Sequence, residues 1–176
     1  MKGRTILVAS ALSGMAILAS VSAWGHAFMV EKKLPAGAWH LVEIAIPHGC
    51  YGSPTTEVSI KAPEGVFNAR PEVKPGWTLT TKMKKLDEPI QTPEVVITEI
   101  VDEMKWSGGK LDDLHLERFN FLPKMPNEPG RTLYFKIVQR CEEGELRWIE
   151  IPEPGEDRSK YLHPAPTIQL VDPATM

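Results

Sequence analysis

Apolar and polar residues alternate in several short stretches of this chain, with the period of a β-strand rather than a helix. Residues 56–61 alternate most cleanly, and the Pro63-Glu64-Gly65 turn follows them directly. Sixteen prolines and thirteen glycines interrupt the chain at short intervals and leave little room for long helices. The strand-like stretches are residues 40–46, 56–61, 77–83, 95–101, 132–138, 145–151 and 167–171.

About seven or eight short strands separated by turns predict an all-β fold, an antiparallel, immunoglobulin-like β-sandwich. The short connection over residues 142–144 predicts a hairpin with Cys141 at its edge. Residues 111–121 are ambiguous, because their apolar period slips between Leu116 and Phe119. We interpret them as a loop that enters a strand, with a bulge near Glu117.

The N-terminus has the three parts of a secretory signal peptide. Lys2 and Arg4 supply positive charge, residues 6–21 are free of charge, and Ala23-Trp24-Gly25 provides small residues before a cleavage point. We predict a signal peptide over residues 1–25 and a single mature domain over residues 26–176 that begins with His26. Cleavage after Ala27 is the alternative that the small-residue rule also allows.

The overall charge argues against several classes of partner. The whole chain carries a net charge of −3, and loss of Lys2 and Arg4 with the leader makes the mature domain more acidic. Such a domain is a poor candidate for binding nucleic acid or an anionic membrane surface. No later segment has the uncharged length of a membrane span, so we expect no membrane anchor after cleavage and a periplasmic or secreted location.

The two cysteines, Cys50 and Cys141, both lie in the predicted mature domain. An even number of cysteines in an exported protein favours a disulfide bond. A metal site with two thiolates is the alternative, and export makes it the weaker one. We therefore interpret this pair as structural.

A histidine at a mature N-terminus has a chelating ability that an internal histidine lacks. The free α-amine and ring Nδ1 of His26 can bind one metal ion together, because the ordinary amine pKa of about 8 lets a divalent metal displace its proton near neutrality. Nitrogen donors in a tetragonal arrangement suit Cu(II). A carboxylate from elsewhere in the fold would be a natural third ligand.

The remaining residues offer weaker chemistry. His40, His48, His115 and His163 have no zinc-motif spacing. Serine-nucleophile and phosphate-loop motifs are absent from the sequence, so we assign no enzymatic activity and no catalytic residue.

Five stretches together resemble the YcnI-like copper-binding domain family of bacterial exported proteins. The longest is IPHGCYGSPTT at residues 46–56, and the similarity runs from His26 to about Leu170. The shorter stretches are KPGW at 74–77, WSGG at 106–109, GRTLYF at 130–135 and RWIEIP at 147–152.

This resemblance implies a β-sandwich that binds one Cu(II) through a monohistidine brace. It assigns the amine and ring nitrogen to His26, a carboxylate oxygen to Glu117, and a tryptophan close to the metal to Trp148. Asp113 is the alternative carboxylate, because the alignment around Glu117 can slip. A core position in an alternating strand is the alternative interpretation of Trp148.

Three functions are compatible with these features. The first is an exported protein that stores or transfers copper without turnover, in exchange with a membrane copper transporter or other periplasmic copper carriers. The second is a copper-dependent polysaccharide oxygenase, which needs a second histidine such as His115 or His40. The third is an adhesion or assembly module without a metal. The first is the function that the resemblance favours.

Overall fold

The structure is a computed structural model that describes residues 25–93 and 95–175. The predicted leader therefore lies outside the described residues, apart from Gly25. The strands are β1 Phe28–Met29, β2 Lys33–Pro35, β3 Val42–Ile46, β4 Thr55–Lys61, β5 Phe67–Pro71, β6 Thr78–Gln91, β7 Val96–Leu111, β8 Glu117–Lys124, β9 Thr132–Tyr134, β10 Lys136–Cys141, β11 Glu145–Trp148 and β12 Thr167–Val171. Two short 3-10 helices cover Arg158–Lys160 and Pro173–Thr175.

These strands form two main antiparallel sheets and one smaller sheet. One main sheet has the order β1-β3-β8-β5, and the other has the order β11-β10-β4-β7-β6. The small sheet has the order β2-β12-β9, in which β2 and β12 run parallel. Each stretch predicted from alternation contains a strand, although residues 132–138 are divided between β9 and β10. The additional strands are mostly pieces of two or three residues, too short to show a period.

The core lies between the two main sheets. Phe119 of β8 packs edge-to-face on Trp106 of β7, with 5.5 Å between the ring centroids. Phe121 of β8 lies 6.0 Å from Phe135, and all four rings are almost fully buried. Fully burying side chains of this kind stabilises a fold by roughly 1.5–3 kcal/mol each. The predicted β-sandwich is confirmed.

Two details of the strand prediction are wrong. Residues 132–138 do not form one strand but are divided at Phe135, whose backbone N–H donates to the carbonyl of Pro166. Before this point β9 pairs with β12, and after it β10 pairs with β4. The predicted bulge near Glu117 is also absent, since β8 pairs with β3 in continuous register from Glu117 to Phe121. The slip in period arises because Leu114 and Leu116 lie in the exposed loop before β8.

The predicted hairpin is confirmed as the pair β10–β11, and Cys141 at its edge forms the predicted disulfide bond with Cys50. Their Cα atoms are 5.9 Å apart. The bond joins positions separated by 91 residues, and it attaches the loop after β3 to the end of β10. No helix within residues 25–93 and 95–175 is long and apolar enough to span a membrane.

Removing the disulfide bond is expected to lower the free energy of unfolding by about 4 kcal/mol, because the bond closes a long loop in the unfolded chain. The double variant Cys50→Ala/Cys141→Ala tests this by urea unfolding, with the oxidised wild type as reference. A loss below about 1 kcal/mol would contradict the loop-closure explanation.

Candidate functional site

The described N-terminal segment lies along the edge of a main sheet. Phe28 and Met29 pair with Ala45 and Ile44 of β3, and buried Ala27 continues this contact towards the N-terminus. His26 is the next residue outward and is exposed. The pairing of β1 with β3 thus fixes the position of His26 at one end of the sandwich.

The ring of His26 is held from two sides. Its Nε2 lies 3.1 Å from the carbonyl oxygen of Leu162, and the ring makes a T-shaped contact with the indole of Trp148, with 5.6 Å between ring centroids. Because a carbonyl only accepts, this hydrogen bond requires the proton on Nε2 and leaves the lone pair of a neutral ring on Nδ1. Nδ1 is the ring nitrogen that can form a chelate together with the residue's own backbone nitrogen.

Trp148 forms the wall of a cavity of about 240 Å³ at this end of the sandwich. Its indole is 2% exposed, and it makes edge-to-face contacts with three imidazoles. The centroid distances to His26, His48 and His163 are 5.6, 6.4 and 5.1 Å. The residues that line the cavity are His26, His48, Tyr51, Leu146, Trp148, Leu162 and His163.

A buried amide holds this wall in place. Trp148 Nε1 donates to Gln139 Oε1 at 3.1 Å, and Gln139 Nε2 donates to the carbonyl of His48 at 2.7 Å and to Thr55 Oγ1 at 2.8 Å. Gln139 has no exposed surface. One side chain of β10 therefore fixes both the indole and the backbone that carries His48.

His48 precedes a tight turn in which position 49 requires glycine. A Cβ atom at Gly49 would lie 2.1 Å from the carbonyl oxygen of Ser53, because Cys50 and Ser53 exchange two backbone hydrogen bonds of 2.8 and 3.0 Å. The left-handed φ of Tyr51 and Gly52, 54° and 94°, closes this turn. The disulfide bond of Cys50 attaches it to β10.

Residues 152–166 form a strap that brings Leu162 and His163 to the cavity. Arg158 donates to the carbonyls of Ala165 and Pro164 at 2.7 and 3.3 Å, and burial lowers the pKa of its guanidinium. Asp157 accepts from the side chain and the backbone N–H of Ser159, and these hydrogen bonds lower the pKa of its carboxyl. Glu150 accepts from the backbone N–H of His163 at 2.5 Å.

Residues 26–170 match the family model described as a domain of unknown function, DUF1775. The chain belongs to this family. It is the YcnI-like family that the sequence motifs resemble, so that resemblance is confirmed. No curated protein matches the chain.

Among solved structures, the DUF1775 domain is similar to an uncharacterized protein from Nocardia farcinica with an immunoglobulin-like fold. The TM-score is 0.62 at 20% identity, over 83% of this chain and 98% of that one, so the immunoglobulin-like fold is confirmed. A putative membrane anchored protein from Corynebacterium diphtheriae matches with a TM-score of 0.40 at 12% identity, over 85% of this chain and 35% of that one.

The fold brings His26 and Trp148 together, whereas neither proposed carboxylate lines their cavity. Glu117 starts β8, on the far side of β3 from β1, and forms an ion pair with Lys74 at 2.8 Å. Asp113 Oδ1 accepts from the backbone N–H of Gly52 at 3.2 Å, next to Tyr51 at the cavity rim.

The two histidines considered for an oxygenase lie at other places. His40 contacts Glu31 at 2.6 Å, His115 lies 3.9 Å from Asp112, and neither lines the cavity. Within residues 25–93 and 95–175, no group of three or more His, Cys, Asp or Glu side chains is arranged to hold a metal. A histidine brace is a different arrangement, because a backbone amine supplies one donor.

Sequence reasoning did not select His48, His163, Leu162 or Gln139 as parts of a site. Two of them carried a usable signal. His48 lies two residues before Cys50 within the longest family motif. Gln139 is a polar residue between Ile137 and Cys141 in an otherwise apolar alternation. The strap lacks the alternation of a strand, so the sequence does not predict that it packs against Trp148.

Replacing Gln139 by Leu is expected to lower the free energy of unfolding by about 2–4 kcal/mol, because it leaves buried hydrogen-bonding groups of Trp148, His48 and Thr55 without their partner. Urea unfolding followed by tryptophan fluorescence measures this. Gln169→Leu, at an exposed position of β12, is the matched control. Equal losses in the two variants would contradict the role of the buried amide.

Proposed function

We propose that this domain is an exported copper-binding protein that holds Cu(II) through the amine and Nδ1 of His26 once residues 1–25 are removed. The hydrogen bond from His26 Nε2 to Leu162 carries this proposal. Histidines that bind metals regularly donate their second ring N–H to a carbonyl or carboxylate, which orients the ring and fixes its tautomer. His26 has this arrangement, with Nδ1 left for the metal.

The surroundings of His26 support the same proposal. The match to the family model begins at His26, the residue at which we expect the mature chain to start. The indole of Trp148 packs against the imidazole and shields one side of the site from water, which also favours a bound cation near its π face. Amine and imidazole donors suit Cu(II), which leads the divalent ions in affinity for such ligands.

The disulfide bond supports the proposal that this domain is exported. Such bonds persist in oxidising compartments and are rare in the cytosol. The Cys50–Cys141 bond fits an extracellular domain, and we propose a periplasmic or secreted location after signal cleavage. There the protein would exchange copper with a membrane transporter or with other carriers, as cargo and without turnover.

The carboxylate ligand is the second part of the copper proposal. The family resemblance assigns it to Glu117, which in this structure is paired with Lys74. Both side chains are partly exposed, and a pair of this kind contributes only about 0–1 kcal/mol. Breaking this ion pair would therefore cost little, and Glu117 would then have to reach across β3 to a copper held by His26. Asp113 is the alternative donor.

Cu(II) affinity of the correctly processed chain tests the brace. Acetylation of the His26 amine and the variant His26→Ala should each weaken binding by more than about 100-fold, since loss of an outer partner of a metal ligand alone costs about 10–100-fold. Competition titration with a chelator of known affinity measures this, and His40→Ala is the matched control. Unchanged affinity after acetylation would rule out the brace.

Glu117→Gln is expected to weaken Cu(II) binding by about tenfold or more, because it removes the negative oxygen donor but keeps the shape of the side chain. The same titration measures it. Glu43→Gln, on the neighbouring strand β3, is the control and should leave the affinity unchanged. Weaker binding by Asp113→Asn, with unchanged binding by Glu117→Gln, would transfer the carboxylate role to Asp113.

A further inference from the structure

The imidazole of His48 lies against the peptide bond at which the leader is expected to be cut. Its Nε2 contacts the carbonyl oxygen of Gly25, and a Cβ atom at Gly25 would lie 3.9 Å from its Cδ2. The carbonyl of Gly25 belongs to the same peptide unit as the backbone nitrogen of His26. Cleavage removes this carbonyl and turns that nitrogen into the free amine, directly in front of His48.

The geometry points to His48 Nε2 as a further nitrogen ligand of the copper held by His26, an inference that rests on the function proposed above. The oxygen and nitrogen of one planar peptide unit are about 2.3 Å apart, so His48 Nε2 and the nitrogen of His26 lie within about 5 Å of each other. Two nitrogen donors at about 2 Å from one metal ion are at most about 4 Å apart. A movement of about 1 Å by the released N-terminus brings both onto one ion.

The second ring nitrogen of His48 supports this role. Its Nδ1 lies 2.5 Å from the carbonyl oxygen of Gly49, which can only accept, so Nδ1 carries the proton. In the uncleaved chain the carbonyl of Gly25 also accepts from Nε2, and cleavage removes that acceptor. A neutral ring that keeps Nδ1–H on Gly49 then has its lone pair on Nε2, the atom that faces the end of the mature chain. His26 shows the mirror arrangement, with Nε2 bound to a carbonyl and Nδ1 available. Each imidazole is thus oriented by a backbone carbonyl, as metal-binding histidines generally are.

His48 is also held rigidly where a ligand is needed. Its carbonyl accepts from buried Gln139, and the turn that follows is closed by the Cys50–Cys141 bond. His163 contacts the same indole but belongs to the strap, where its backbone N–H is bound to Glu150. The amine and Nδ1 of His26 with Nε2 of His48 give three nitrogen donors, a set that suits tetragonal Cu(II).

Pulsed electron spin resonance of the processed protein with one equivalent of Cu(II) tests the inference, because remote imidazole nitrogens show how many imidazoles bind the ion. We expect two imidazoles in the wild type, one in His48→Gln, and two in the matched control His163→Gln. Cu(II) affinity should fall by at least about 10–100-fold in His48→Gln only. Urea unfolding of each variant checks that the domain is folded.

The outcomes separate this inference from the function on which it rests. A wild type that binds Cu(II) through a single imidazole overturns the role of His48 and leaves the brace of His26 intact, and this spectrum needs no variant. Loss of the second imidazole in His163→Gln instead of His48→Gln overturns it as well. A processed wild type that binds no Cu(II) contradicts both proposals.

Discussion

The buried amide of Gln139 connects the parts of the molecule on which the candidate site depends. It accepts from the indole of Trp148 and donates to the carbonyl of His48, so the wall of the cavity and the turn beside it share one hydrogen-bonding partner. In a low-dielectric interior such bonds are strong, and a group left without its partner is costly. The site is consequently tied to the packing of the sandwich.

Three segments far apart in sequence meet at Trp148, and each is fixed by a different interaction. The N-terminal segment is held by the pairing of β1 with β3, the His48 turn by the disulfide bond, and the strap by Arg158. A metal ion bound there would find the imidazoles of His26 and His48 already oriented by backbone carbonyls. Such preorganisation lowers the conformational cost of binding.

His26 and Glu117 lie on opposite sides of β3 in this structure, because β1 and β8 flank that strand. Glu117 is neutralised by Lys74, which also lies 5.5 Å from the ring centroid of Phe119. On the other side, the imidazoles of His26 and His48 are bound to backbone carbonyls instead of carboxylates. A cation that entered the cavity would add the positive charge that could draw a carboxylate such as Glu117 or Asp113 towards it.

The sequence by itself determined the fold class, the hairpin of β10 and β11, the disulfide partners and the family, because alternation, turn residues, cysteine number and local motifs are properties of short stretches. It also singled out His26 and Trp148 as a pair. Only the tertiary structure decided that His48, His163 and Leu162 face the same indole, and that Gln139 lies beneath it. These contacts join residues up to 136 positions apart, and such long-range contacts depend on sheet order and on the path of an irregular strap, neither of which leaves a period in the sequence.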